Sequence, residues 1–255
     1  MLYVDANRND MLGWLPKGGQ VAEVGVFAGA FSRQILDTVK PERLHLIDVW
    51  RWAYYDWNNP PAVELKNIEV FKVWAKALDS EYDGGHPDKM LERFHSKLVA
   101  LAKADPRVAV HRGDSVDVAK GFGDYHFDAV YIDADHHYDA VLADLVAYGP
   151  KVRIGGLILG DDFLDDETRT DGLYGTIQAV NTFMKRTNWK CLAIIGPSAC
   201  QYVLYRAMSP YVDEFLTGLL NSGRHIVEVN DALVGRFFQK TLRTSTATRN
   251  VASFL

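Results

Sequence analysis

Short apolar runs alternate along this chain with helix-length amphipathic stretches. Gln20 to Val26 reads as a first strand, and Gly29 and Ala30 lead into a helix through Ser32, Ile35 and Leu36 that ends before Pro41. Arg43 to Val49 predicts a second strand, Arg107 to His111 a third, Phe127 to Asp133 a fourth and Gly156 to Gly160 a fifth. Between the last two lies a helix with Val141, Leu142, Leu145 and Val146 at core-facing spacing. Strands of this kind, separated by helices, imply a parallel sheet covered on both faces. After a helix around Ile177 to Met184 come two further runs, Cys191 to Ile195 and Gln201 to Tyr205. The link between them is too short for a parallel crossover, so they predict an antiparallel hairpin. The expectation is a Rossmann-like, doubly wound α/β fold with a mostly parallel, seven-stranded sheet ending in that hairpin.

Two regions fall outside this core. Residues 50–105 separate strands two and three, much longer than a usual connection. The segment opens with Trp50, Trp52, Tyr54, Tyr55 and Trp57, then predicts helices around Glu64 to Leu78 and Asp88 to Lys103. These aromatics read equally as a cover over a substrate or as the core of the inserted helices. Residues 207–255 read as an extension beyond a domain of residues 1–206, with a helix around Tyr211 to Leu220 and a last dozen residues expected to fray.

Composition narrows the function classes. A net charge of −5 and the absence of a basic block speak against nucleic acid or an anionic membrane as partner. No apolar stretch approaches the roughly 20 residues that span a bilayer. Met1 to Asp10 carries no apolar run, so no signal peptide is read and the expected location is the cytoplasm. Cys191 and Cys200 form no metal-binding cluster, and reduced thiols are the simpler reading.

The chemistry begins at the first strand–helix junction, where Glu23, Gly25, Phe27 and Gly29 follow one another. Glycines there allow a tight turn or the close approach of a ligand. A dinucleotide fingerprint also wants glycine at the middle position, where pyrophosphate meets the backbone. Phe27 stands there instead, which favours a ligand without phosphates. Asp48 ends the second strand, where a carboxylate accepts ribose hydroxyls or caps the loop. Asp114 and Ser115 follow the third strand, placed to bond adenine or to cap a helix. All three loops sit at carboxyl ends of strands, where open α/β sheets bind ligands.

The run 22–36, AEVGVFAGAFSRQIL, with Leu46 to Trp50, resembles class I S-adenosylmethionine-dependent methyltransferases over roughly residues 8–206. It is most similar to the bacterial group that includes macrocin-type sugar O-methyltransferases. The resemblance implies S-adenosylmethionine as cofactor, with Glu23, Gly25 and Ser32 along its methionine end. Asp48 would then take the ribose, Asp114 and Ser115 the adenine, and Phe27, Gly29 and Asp133 would complete the contact set.

A second constellation is acidic. Asp133 closes strand four, and Asp161 and Asp162 close strand five, 28 residues later. Neighbouring parallel strands lie about 4.8 Å apart, so these carboxylates can share one cation. Without a counter-ion they would repel, and their pKa values would rise. An all-oxygen set suits Mg²⁺, Mn²⁺ or Ca²⁺. Metal-dependent O-methyltransferases use the same arrangement, and the resemblance makes Asp133, Asp161 and Asp162 the ligands. His136 stands three residues past Asp133, where the macrocin-like group has histidine and catechol O-methyltransferases have lysine. An ordinary imidazole titrates near 6.5 and can accept a hydroxyl proton near neutrality, so His136 is the candidate general base.

The expected function is divalent-metal-dependent O-methylation of a small hydroxylated acceptor, a sugar or an aromatic. The alternatives are a metal-independent N- or O-methyltransferase and a cofactor-binding protein without turnover. An oxidoreductase is disfavoured by Phe27, and a non-haem iron oxygenase by the α/β alternation, although His137 and Asp139 spell an H-x-D element. Phe215, Leu219, Leu220, Phe237 and Phe238 beyond the sheet lead us to expect a homodimer.

Overall fold

The strands form where the apolar runs lie, and the longest buried run, Phe127–Ile132, runs through the middle of the sheet. The structure is a computed structural model that describes residues 1–52, 57–59, 65–165, 174–196, 201–233, 235–246 and 248–254. In chain order the elements are β1 (Leu2–Val4), α1 (Arg8–Trp14), β2 (Gln20–Val24), α2 (Ala30–Thr38) and β3 (Arg43–Asp48). Then come α3 (Leu65–Leu78), α4 (Asp88–Ala104), β4 (Val108–Arg112), α5 (Ser115–Ala119), β5 (Phe127–Ile132), α6 (Tyr138–Tyr148) and β6 (Val152–Gly160). The chain continues through α7 (Thr176–Arg186), β7 (Lys190–Ile195), β8 (Gln201–Tyr205), α8 (Pro210–Leu220), β9 (Ile226–Glu228), β10 (Phe237–Arg243) and β11 (Thr248–Phe254).

One sheet runs β4-β3-β2-β5-β6-β8-β7-β1-β9. From β4 to β6 every pairing is parallel. Neighbouring residues of one strand feed opposite cores, as the period of two requires. Val21, Leu46, Tyr131 and Leu159 face α1, α2, α4 and α8, packing with Leu12, Ile35, Phe94 and Phe215. Ala22, Ile47, Ile132 and Ile158 face α6 and α7, packing with Val141, Leu145, Ile177 and Phe183. Both faces are therefore covered, as the non-alternating strands imply.

Three features differ from expectation. The sheet has nine strands rather than seven, because β1 and β9 add to its edge; each has three residues, too few to show a period. The reversed strand does not close the sheet: β8 sits between β6 and β7 and is antiparallel to both. Near the end of the chain, where fraying is expected, Thr248–Phe254 pairs along its whole length with β10.

The region 207–254 is tied to the rest of the chain. Phe215 of α8 meets Trp14 of α1 edge-on at 6.1 Å, and β9 pairs with β1. Phe237 stacks edge-on against Phe163, and Asn181 donates to its carbonyl. Phe215, Leu219 and Phe237, which motivated the homodimer, are thus buried within one chain, and Leu220 stays exposed. Among the inserted aromatics, Trp50 and Trp57 are core: both are buried, and Trp57 packs on Phe71. Tyr54, Tyr55, Glu64 and Cys200 lie outside the described residues, and Cys191 is a buried free thiol. Among the described residues no helix is long and apolar enough to cross a membrane.

Candidate active site

The carboxyl ends of β2, β3, β5 and β6 open onto one rim, and the loops that follow them carry the candidate residues. Gly25 leaves β2 with φ 87°, and a Cβ there would lie 2.1 Å from the Asp133 carbonyl oxygen and 2.5 Å from the Ala134 Cα. Its bareness lets the end of β5 pass. Gly29 caps α2 at φ 77°, where a Cβ would strike Leu98 of α4.

Phe27 adopts φ 50° without being glycine, a conformation that persists only where surroundings enforce it. The enforcement is visible. Its N–H and that of Val26 both donate to Asp48 Oδ2 at 2.9 Å, and its carbonyl accepts from Trp50 Nε1 at 2.9 Å. Its ring meets Phe94 edge-on. Asp48 also accepts from the Trp50 N–H, so its carboxylate pins the glycine loop to the end of β3.

Beneath the loop, Glu23 and Ser32 are buried together, the hydroxyl donating to the carboxyl at 2.5 Å. Burial pushes Glu23 up to about 8; the Ser32 bond opposes this and the Asp48 charge adds to it. Asp114 caps α5, accepting from the N–H groups of Val116 and Asp117. Ser115 donates its hydroxyl to Asp144, which is buried on α6. The adenine contacts read from Asp114 and Ser115 thus share those side chains with a helix cap and a buried carboxyl.

The acidic residues do meet, at the ends of β5 and β6, but in a different combination from the expected one. Ligand atoms of Asp133, His136 and Asp162 all lie within 4.8 Å of one another. His136 Nε2 is 3.3 Å from Asp162 Oδ2, and its ring stacks on Tyr174. Asp162 holds φ 45°, joining Phe27 and Trp50 (φ 42°) as strained non-glycine residues on this rim. Asp161 is not one of the three convergent residues, and both its oxygens are engaged. Oδ1 accepts from Gln201 Nε2 at 2.7 Å and from the Asp162 N–H at 2.9 Å, while Oδ2 faces Arg8 Nη1 at 3.0 Å.

Arg8 is the residue that reading the sequence missed. It reaches the rim from the first turn of α1, also lies 3.5 Å from Asp133, and crosses the face of Phe31 at 4.8 Å. No local motif announces it: its carboxylate partners are more than 100 residues away. Burial drives Asp133 well above the usual carboxylate range, and Asp161 and Asp162 add to this while Arg8 opposes it. Asp162 is raised for the same first reason, with His136 opposing. An imidazole in the set widens the choice beyond the Mg²⁺, Mn²⁺ or Ca²⁺ expected of an all-oxygen set. Two carboxylates and one imidazole suit Mn²⁺ and its transition-metal neighbours as well.

Residues 22–163, more than half of the chain, match the family described as a methyltransferase domain. No curated protein matches. Among solved structures, a protein from Corynebacterium glutamicum is 17% identical with a TM-score of 0.51, over 81% of this chain and 83% of that one. Spermidine synthase from Thermotoga maritima is 15% identical with a TM-score of 0.44, over 89% and 66%. Fibrillarin from Aeropyrum pernix, with natively bound S-adenosyl-L-methionine, is 10% identical with a TM-score of 0.46, over 77% and 73%.

Proposed function

The chain belongs to the class I S-adenosylmethionine-dependent methyltransferases, and on that premise we propose that it methylates a hydroxyl of a small sugar or aromatic metabolite at a divalent-cation site. One observation carries the reading: Asp133, His136 and Asp162 converge within 4.8 Å at the strand ends beside the cofactor loop. Their donor set fits a divalent ion, and the shared burial that raises Asp133 and Asp162 is what a bound cation would offset. Such an ion would supply a fixed positive charge that makes an acceptor hydroxyl more acidic. S-adenosylmethionine supplies the electrophilic methyl.

The chain's own contribution is positional. The Gly25–Gly29 loop, held by Asp48, would seat the cofactor, with Glu23 and Ser32 beneath its methionine end. Asp48 would take the ribose through its remaining lone pairs, and the loop at Asp114 and Ser115 would meet the adenine. Holding acceptor and methyl donor in line accounts for much of the acceleration expected of such a site.

A second reading has its own support. Arg8 already neutralises part of the acidic charge, and Asp162 lies against His136 Nε2. In a metal-independent enzyme Asp162 would orient His136, and His136 would take the acceptor proton as general base. Turnover to S-adenosylhomocysteine, measured over a panel of hydroxylated acceptors with Mn²⁺, with Mg²⁺ and after chelation, separates the two. Activity that survives thorough chelation rules out the cation reading. His136→Ala tests the residue itself: lost Mn²⁺ affinity makes it a ligand, and retained affinity with turnover down about 10²–10⁴-fold makes it the base.

A further inference from the structure

Arg8 occupies ground that a cation would claim. We propose that it is a resident counter-ion of the acidic cluster that competes with a divalent cation there, by its charge and by withholding Asp161. This rests on the cation reading above.

The geometry assigns both halves of the effect. The guanidinium sits 3.0 Å from Asp161 and 3.5 Å from Asp133, and Asp133 is one of the three residues whose ligand atoms converge. A fixed positive charge this close opposes a second one. The contact also occupies Asp161 Oδ2, while Gln201 and the Asp162 N–H occupy Oδ1. Asp161 is adjacent in sequence to Asp162, yet it is absent from the convergent set. Freed from Arg8, it has an oxygen to give.

Two further features fit a residue set for this task rather than for stability. Arg8 is the first residue of α1, the end where the helix dipole disfavours a positive side chain, and Asn7 and Asp10 form a capping box around it. Its side chain is 40% exposed, so it can swing outward without opening the core. Beside it, the hydroxyl of Tyr131 is buried in the field of Asp161, Asp133 and Arg8 without a partner of full hydrogen-bond geometry.

The test is a Mn²⁺ titration by calorimetry, with thermal melts to confirm folding. Arg8→Gln removes the charge, and Arg8→Met does so while keeping an aliphatic stem over Phe31. Both should bind Mn²⁺ at least about tenfold more tightly than wild type, and Arg8→Lys should stay near wild type. In an Asp161→Asn background the gain from Arg8→Gln should shrink markedly, because the released ligand is no longer there. Wild-type binding that Asp162→Asn abolishes, with no gain from either neutral Arg8 variant, overturns the competition and leaves the cation site standing. Absence of Mn²⁺ binding by wild type and both neutral variants overturns the cation reading and the competition together.

Discussion

Asp144 offers the sharpest test of the electrostatics around the strand-end loops. It is 3% exposed on α6 and accepts the Ser115 hydroxyl. Burial, with the charges of Asp114 and Asp135 adding and the Ser115 bond opposing, raises its pKa from 3.8 to about 6. A raised carboxyl binds its proton more tightly in the folded chain. Its contribution to stability is therefore fully present below about 3.8 and lost as pH rises through about 6. At about 1.36 kcal/mol per pH unit, the loss amounts to about 3 kcal/mol. Asp144→Asn preserves the shape and an acceptor for Ser115 but cannot ionise. Denaturant unfolding of both proteins at pH 4 and pH 8 isolates the effect, since any constant cost of the amide cancels between the two pH values. The variant should gain about 2.4 kcal/mol on wild type over that interval, since part of the loss already falls below pH 4. Stability curves that stay parallel across it would refute the assignment of a buried, proton-binding carboxyl.

Other outcomes follow from the same geometry. Gly25→Ala forces a Cβ into the backbone of Asp133 and Ala134 at positive φ, and should cost roughly 3 kcal/mol or more in unfolding experiments, with loss of S-adenosylhomocysteine binding; a variant as stable as wild type contradicts this. Glu23, raised to about 8, should make the preference for the sulfonium cofactor over neutral S-adenosylhomocysteine grow between pH 7 and 9, and Glu23→Gln should flatten that ratio in calorimetry. His45 is buried against His111, His126 and Arg43 and lowered to about 4, so its stabilising contribution is present above 6.5 and lost as pH falls through 4. His45→Gln should accordingly resist acid unfolding better than wild type, and an unchanged acid midpoint would refute this. Asp162→Asn should abolish Mn²⁺ binding under the cation reading while sparing S-adenosylhomocysteine affinity, which calorimetry measures separately.

The sheet was legible where burial is two-sided. Runs such as Phe127–Ile132 and Leu157–Gly160 carry no polar residue on either face except Asp128, so their strand character does not depend on context. The antiparallel β7–β8 pair was legible because its short link leaves no other pairing. β1 and β9 were not, because three residues become a strand only through partners at the far end of the chain. β11 was hidden for another reason: its Thr, Ser and Arg content reads as solvated coil, and its strand character comes from β10 alone. At the site, the meeting of Asp133 with Asp162 followed from strand ends, and His136 from its offset. The contacts that Asp161 makes instead, with Arg8 and Gln201, are announced by no spacing. Ser115 follows β4 as the sequence indicates, but its partner Asp144 belongs to a helix whose inward face looks purely apolar in the sequence.

The β1–β9 pairing bears on the order of events during synthesis. Leu2 pairs with Glu228 and Val4 with Ile226, and Arg224 bridges to Asp10 within the helix that carries Arg8. This edge joins residues more than 220 positions apart, so a ribosome adding about 5–20 residues per second leaves β1 waiting for β9 for about 10–45 s. During that interval the central strands have their neighbours, and Asp133 and Asp161 can come together before α1 is anchored on its outer side. The outer edge of the sheet, and the Arg224 tie on the helix that carries Arg8, are therefore the last parts of this region to close.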